Sequence, residues 1–123
     1  MEFATALSCI DGRIQRPVND FLVAEFDVAY LDTVTRAGMV KYLTSSYDPA
    51  TSAIVVDLDS SIRAHSVKNL AVVAHRDCAG NPIDDETQLR QLDDAVAHFK
   101  RRYPELGVVG VWVDTGRDIE LRA

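Results

Sequence analysis

Residues 70–82 read Leu70-Ala71-Val72-Val73-Ala74, an apolar run, and then His75-Arg76-Asp77-Cys78-Ala79-Gly80-Asn81-Pro82, a polar loop. A short apolar run bounded by turn residues is typical of a strand that is buried on both faces. The same pattern occurs at residues 4–10, where a second apolar run stops at Asp11-Gly12-Arg13. We therefore predict two buried strands, each with a cysteine near its carboxyl end.

Strands and helices alternate along the rest of the chain. Further strands are predicted at 28–35 and 108–113, and a short edge strand at 119–121 after a turn at Thr115-Gly116. Helices are predicted at about 17–26, from Gly38 to about Ser45, at 53–65 and at 84–103, with a connection over 47–52. The 53–65 segment also has strand propensity, but apolar residues at spacings of four favour a helix there.

Strands that are apolar on both faces and alternate with helices indicate a three-layer α/β domain, with a mainly parallel sheet and helices on both faces. In such sheets, ligands bind beyond the carboxyl ends of the strands, where the direction of winding reverses. The loops after the first and third predicted strands can therefore converge, and both cysteines lie there.

The length and the net charge of the chain limit the classes of protein to which it can belong. The 123 residues are expected to form one domain over 1–123. Acidic residues outnumber basic ones 19 to 13, and the formal charge of -6 disfavours binding to nucleic acid or to anionic membranes. No window approaches the ~20 apolar residues of a membrane span, and we predict a soluble, cytoplasmic protein.

Cys9, His75 and Cys78 are the candidate metal ligands. The two residues between His75 and Cys78 allow one tight loop to supply two ligands, and two thiolates with an imidazole suit Zn²⁺. Three protein ligands leave a fourth position for water or substrate, as in catalytic zinc sites. The alternative is that both cysteines are simply small buried residues at strand ends.

Asp11 and Arg13 follow Cys9 at intervals of two residues. In a locally extended loop, all three side chains could project to the same side. Arg13 could grip the Asp11 carboxylate through two hydrogen bonds and hold it off the metal, or Asp11 could itself become the fourth ligand. The plainer alternative is a loop ion pair of small energetic worth.

The order Cys9-Ile10-Asp11-Gly12-Arg13 and then His75-Arg76-Asp77-Cys78 resembles the β-class carbonic anhydrases, and Thr35-Arg36-Ala37-Gly38 is similar to a further segment of that family. The resemblance implies a sheet of order 2-1-3-4 with a possible extra edge strand. It also implies zinc on Cys9, His75 and Cys78, a catalytic Asp11–Arg13 dyad, and a homodimer or larger homo-oligomer. Two departures from the usual family pattern are Gly12, where Ser is usual, and Ala79 before Gly80. The chain is also expected to be a small, shortened member.

The activity that the resemblance implies is reversible hydration of carbon dioxide to bicarbonate by zinc-bound hydroxide. A related hydrolase of carbon disulfide or carbonyl sulfide, and a non-catalytic zinc-stabilised binding module, are the alternatives. We expect Asp77 to cap its loop rather than bind metal, and Trp112 to lie in the core or on an assembly surface. His65 and His98 are expected on helix surfaces without a role in proton transfer.

Overall fold

The structure, a computed structural model, describes residues 2–44, 48–114 and 118–122. These ranges contain five strands and four helices, in chain order β1 (Phe3–Ser8), α1 (Gly12–Glu25), β2 (Tyr30–Thr35), α2 (Met39–Leu43), α3 (Pro49–His65), β3 (Asn69–His75), α4 (Asp85–Arg102), β4 (Gly107–Val113) and β5 (Ile119–Arg122). The predicted turn at Thr115-Gly116 and the predicted helix end at Ser45 lie outside the described ranges.

The strands form one sheet of order β2-β1-β3-β4-β5. The first four are parallel, and β5 pairs antiparallel with β4. The predicted α/β class, the 2-1-3-4 order and the extra edge strand are therefore confirmed. In the pairing of β1 with β3, Leu7 lies opposite Val72, so the carboxyl ends of these two neighbours reach the same edge of the sheet.

Helices cover both faces of the sheet, but unequally. One apolar cluster joins α2, α3 and α4 to alternate strand residues that include Leu7, Val72 and Trp112. A second cluster joins α1 alone to the opposite face. Side chains that alternate between two buried faces explain why the central strands are apolar throughout. Within the described ranges, no helix combines the length and apolarity that crossing a bilayer requires.

Helix α1 begins five residues before the predicted start at residue 17. The Asp11 side chain caps it by accepting a hydrogen bond from the Arg13 backbone N–H, at 2.9 Å. Pro17 therefore lies inside the helix, where it cannot donate to the Arg13 carbonyl. Proline favours the first turn of a helix, which is why the prediction places the start at Pro17, but the Asp11 cap sets the start five residues earlier. Arg13 consequently lies in a helical turn, not in the extended loop that we expected.

Helix α3 begins at Pro49. The prediction of a connection over 47–52 is therefore wrong for residues 49–52, which are helical. Asp48 caps this helix, with its side chain accepting from the Ala50 N–H at 2.9 Å, and Pro49 occupies the first turn. Asp followed by Pro is a helix-start signal as well as a loop signal. The helical interpretation of 53–65 is confirmed, and Ile54 and Leu58 lie on the buried face.

The loop after β2 touches the loop after β3 through backbone atoms. Gly38 has a left-handed φ of 67°, and a Cβ there would lie 2.4 Å from the Gly80 carbonyl oxygen. A Cβ on Gly80 would in turn lie 2.6 Å from the Gly38 nitrogen. The atoms that each added Cβ would meet belong to the backbone, and they cannot move aside as a flexible side chain would. Both residues therefore need to be glycine.

We expect Gly38→Ala to lower the free energy of unfolding by about 2–4 kcal/mol, because it adds both left-handed strain and a backbone clash. Gly12→Ala is the matched control, since a Cβ at Gly12 meets nothing within 4 Å. Urea denaturation followed by circular dichroism measures both variants. Equal midpoints for the two would contradict the close approach of the loops.

Candidate metal centre

Three buried side chains meet beyond the carboxyl ends of β1 and β3. Cys9 directly follows β1, His75 ends β3, and Cys78 lies in the next loop. One ligand atom from each lies within 4.8 Å of the other two, and the two Sγ atoms are 3.8 Å apart. The three residues are only 5%, 2% and 5% exposed, respectively. The structure thus brings together the three residues that the sequence analysis proposed as metal ligands.

The imidazole of His75 is oriented by its own loop. Its Nδ1 lies 2.9 Å from the Arg76 carbonyl oxygen, and because a carbonyl only accepts, Nδ1 carries the proton. Nε2 is buried and has no hydrogen-bond partner within the described part of the chain. Buried polar atoms rarely lack a partner, and a lone pair left on a histidine whose other nitrogen is held by the backbone is the usual arrangement of a metal ligand.

The surroundings of the two sulfurs favour a bound cation. Burial and the neighbouring Cys9 sulfur raise the pKa of the Cys78 thiol, while N–H groups of Gly80 and Asn81 oppose that rise. The Gly38 N–H likewise points at the Cys9 sulfur, at 3.4 Å. A divalent cation between the sulfurs would reverse this rise in the pKa of Cys78, since coordination deprotonates a thiol. Two sulfurs and one nitrogen are a donor set that suits Zn²⁺.

The Arg13 guanidinium binds the Asp11 carboxylate through two parallel hydrogen bonds. Arg13 Nε donates to Asp11 Oδ1 at 3.0 Å, and Nη2 donates to Oδ2 at 2.6 Å. These hydrogen bonds lower the pKa of the Asp11 carboxyl to about 2, so the group stays ionised through neutral pH. Asp11 Oδ2 also lies 4.0 Å from His75 Nδ1. An ionised carboxylate, paired with Arg13, therefore lies beside the cysteine–histidine cluster.

Two residues contribute to this site beyond those proposed as its ligands and dyad. Gln15 Nε2 donates to the backbone carbonyls of Cys9, at 2.9 Å, and Asp11, at 2.8 Å, and so braces the loop between them. Glutamine four residues after a capping aspartate could have signalled this contact, but only once α1 is known to begin at Gly12. Asp77, expected to cap its loop, accepts hydrogen bonds from Arg13.

The remaining candidates lie away from the cluster. His65 pairs with Asp32 and stacks on Phe3, and His98 lies exposed on α4. Trp112 is buried in the core, which is one of the two locations expected for it. A surface cavity of about 630 Å³ between α2, α3 and α4 shares no lining residue with the cluster. Convergence of donor atoms, rather than cavity size, marks the candidate site.

The fold of the chain is that of solved β-carbonic anhydrases. The β-carbonic anhydrase CcaA has a TM-score of 0.56 and 13% identity, over 98% of this chain and 80% of that one. CafD of Aspergillus fumigatus has a TM-score of 0.60 and 10% identity, over 100% and 90%. A tetrameric β-carbonic anhydrase of Sordaria macrospora has a TM-score of 0.55 and 15% identity, over 98% and 79%.

A family model described as "Putative carbonic anhydrase" matches residues 1–122. The chain belongs to this family. No curated protein sequence is significantly similar to it.

The geometry predicts that the chain binds one Co²⁺ or Zn²⁺ ion, with cobalt giving thiolate charge-transfer bands. We expect His75→Ala to weaken metal affinity by more than about 100-fold, because the loss of even an outer-shell partner costs about 10–100-fold. His98→Ala, which removes an exposed histidine of α4, is the control and should bind as the wild type does. Competition with a chromophoric chelator measures each affinity, and equal affinities for the two variants would contradict the assignment.

Proposed function

We propose that this chain is a zinc-dependent carbonic anhydrase that reversibly hydrates carbon dioxide to bicarbonate. Cys9, His75 and Cys78 would be the zinc ligands, and Asp11 and Arg13 the catalytic pair. The observation that carries the proposal is the Nε2 of His75, which has no hydrogen-bond partner among the described residues and is buried beside two sulfurs with an ionised carboxylate alongside. Membership of the carbonic anhydrase family supports the same reaction.

Bound zinc would supply Lewis acidity and lower the pKa of a coordinated water. Asp11, being ionised, can only accept hydrogen bonds, so it would orient any O–H group that faces it. Arg13 keeps that carboxylate charged by engaging both of its oxygens. The backbone N–H groups near Cys9 and Cys78 stabilise negative charge on the sulfurs. These residues thus favour a fixed hydrogen-bond acceptor beside a metal whose formal charge two thiolates would cancel.

We further propose that residues 1–123 act as one domain in the cytoplasm, with carbon dioxide and bicarbonate as the substrate pair. Nucleic acid and membranes are not expected partners, given the formal charge of -6.

Zinc-loaded wild-type protein should hydrate carbon dioxide in a stopped-flow assay well above the buffer rate. We expect Asp11→Asn to lower kcat/KM by about 100-fold, at the lower end of what a positioned acid or base contributes. Asparagine keeps the size of the side chain and its ability to cap α1. Asp20→Asn makes the same charge change on the exposed face of α1 and should leave the rate unaltered.

The rate should rise between about pH 6 and about pH 9, since two thiolates cancel the formal charge of Zn²⁺ and make its water less acidic than neutral ligands would. Asp11, with its pKa near 2, should add no break in that range. No rate above buffer in zinc-loaded protein rejects the proposal. Sulfide release from carbonyl sulfide or carbon disulfide would indicate the related hydrolase. A folded zinc protein with neither activity would be the binding module.

We also propose that the chain forms a homodimer or larger homo-oligomer. Ile10, next to Cys9, is 59% exposed, and Ile83, in the loop after Cys78, is 38% exposed. Among the described helices, α1 alone covers its face of the sheet, and Val109 and Ile119 stay partly exposed on that face. The tetrameric enzyme from Sordaria macrospora, a structural neighbour, supports assembly in this fold.

In sedimentation equilibrium, we expect Ile10→Glu to raise the dissociation constant of the assembly by at least about tenfold. Burying one isoleucine contributes roughly 1.5–3 kcal/mol, which the charged side chain would forfeit. Val56→Glu is the matched control, because Val56 is 62% exposed on α3, on the opposite face of the sheet. Equal dissociation constants for the two variants, or a monomeric wild type, would contradict the proposed surface.

A further inference from the structure

A second acidic side chain contacts Arg13 from the opposite loop. Arg13 Nη1 donates to Asp77 Oδ2 at 3.3 Å, and Arg13 Nη2 donates to the Asp77 backbone carbonyl at 3.0 Å. Asp77 lies between His75 and Cys78 and has a left-handed φ of 58°. One guanidinium thus joins the aspartate that follows Cys9 to the aspartate that precedes Cys78.

The Asp11–Arg13 pair cannot set its own position relative to the metal ligands of β3. Both residues belong to the beginning of α1, so the hydrogen bonds between them do not tie either residue to β3 or its loop. The contact with Asp77 spans 64 residues of sequence and ties the pair to the loop that carries His75 and Cys78. Among the described hydrogen bonds of Arg13, only those to Asp77 provide this connection.

The position of the pair matters because the Asp11 carboxylate lies beside the ring of a candidate metal ligand. Its Oδ2 is 4.0 Å from His75 Nδ1, the ring nitrogen that would not face the metal, and an ionised carboxylate is attracted to a divalent cation. A displacement of Asp11 toward Nε2 and the two sulfurs would let the carboxylate take the position that substrate needs. Arg13, held at its far side by Asp77, opposes that displacement.

We propose that Asp77 is a positioning residue that anchors Arg13 and thereby keeps the Asp11 carboxylate from becoming a fourth metal ligand. The proposal rests on the metal site of the proposed function. It assigns Asp77 no contact with substrate. Its effect is to keep one coordination position open to small anions and solvent.

Thiocyanate binding to the cobalt-loaded protein, followed by visible absorption, tests the proposal. Asp77→Gly removes the side-chain contact with Arg13, keeps the contact with the backbone carbonyl and suits the left-handed backbone, and Asp77→Asn keeps an acceptor oxygen without the charge. We expect Asp77→Gly to weaken thiocyanate binding by at least about threefold, within the range for an exposed ion pair, and Asp77→Asn to be intermediate. Adding Asp11→Asn to Asp77→Gly should restore binding, because an amide competes poorly with thiocyanate for cobalt.

The direction of the change in thiocyanate affinity distinguishes a positioning role of Asp77 from a direct effect of its charge. Removing a negative charge near the metal should, by electrostatics alone, strengthen anion binding, as expected for the control Asp85→Asn at the same edge of the sheet. Thiocyanate binding to Asp77→Gly that is unchanged or tighter overturns the proposal. So does weakened binding that Asp11→Asn fails to restore. A wild type that takes up no cobalt rejects the proposed function itself, and melting temperatures of all variants check that they fold.

Discussion

Backbone hydrogen bonds between β1 and β3 hold Leu7 opposite Val72, and this register determines where the two loops beyond them meet. Cys9 leaves one strand as His75 ends the other, so the pairing of the two strands brings their donor atoms together. The contact between Gly38 and Gly80 then fixes the loop after β2 against the same place. A slip of one residue in the pairing would turn every side chain of a strand to the other face and disperse the cluster.

Charge explains the composition of the site. Two buried sulfurs 3.8 Å apart resist joint ionisation unless a cation lies between them. Burial, and after it the neighbouring Cys9 sulfur, raise the pKa of the Cys78 thiol. An acid placed beside such a cation would be drawn onto it. Arg13 counters this by engaging both oxygens of Asp11, and its contact with Asp77 comes from the opposite loop. The polar side chains outside the cluster thus govern access to it.

The structural neighbours share 10–15% identity with the chain, yet they share its fold at TM-scores of 0.55–0.60. Cores tolerate extensive hydrophobic substitution when volume and pattern are kept, so fold survives where sequence similarity is low. Fold alone does not specify a reaction. For this chain, the argument for carbon dioxide hydration comes from His75, its two cysteine neighbours and Asp11, together with the family to which the chain belongs.

Local patterns determined most of the architecture: the apolar runs of β1 and β3, the charged ends and apolar stripe of α4, and the short spacing of His75 and Cys78 were all readable in sequence. The start of α1 was misplaced because Pro17 was given more weight than the Asp11 cap. Only the tertiary structure decided which loops touch. The approach of Gly38 to Gly80, and of Arg13 to Asp77, depends on strand order and register, and these contacts join residues too far apart in sequence for any local pattern to specify.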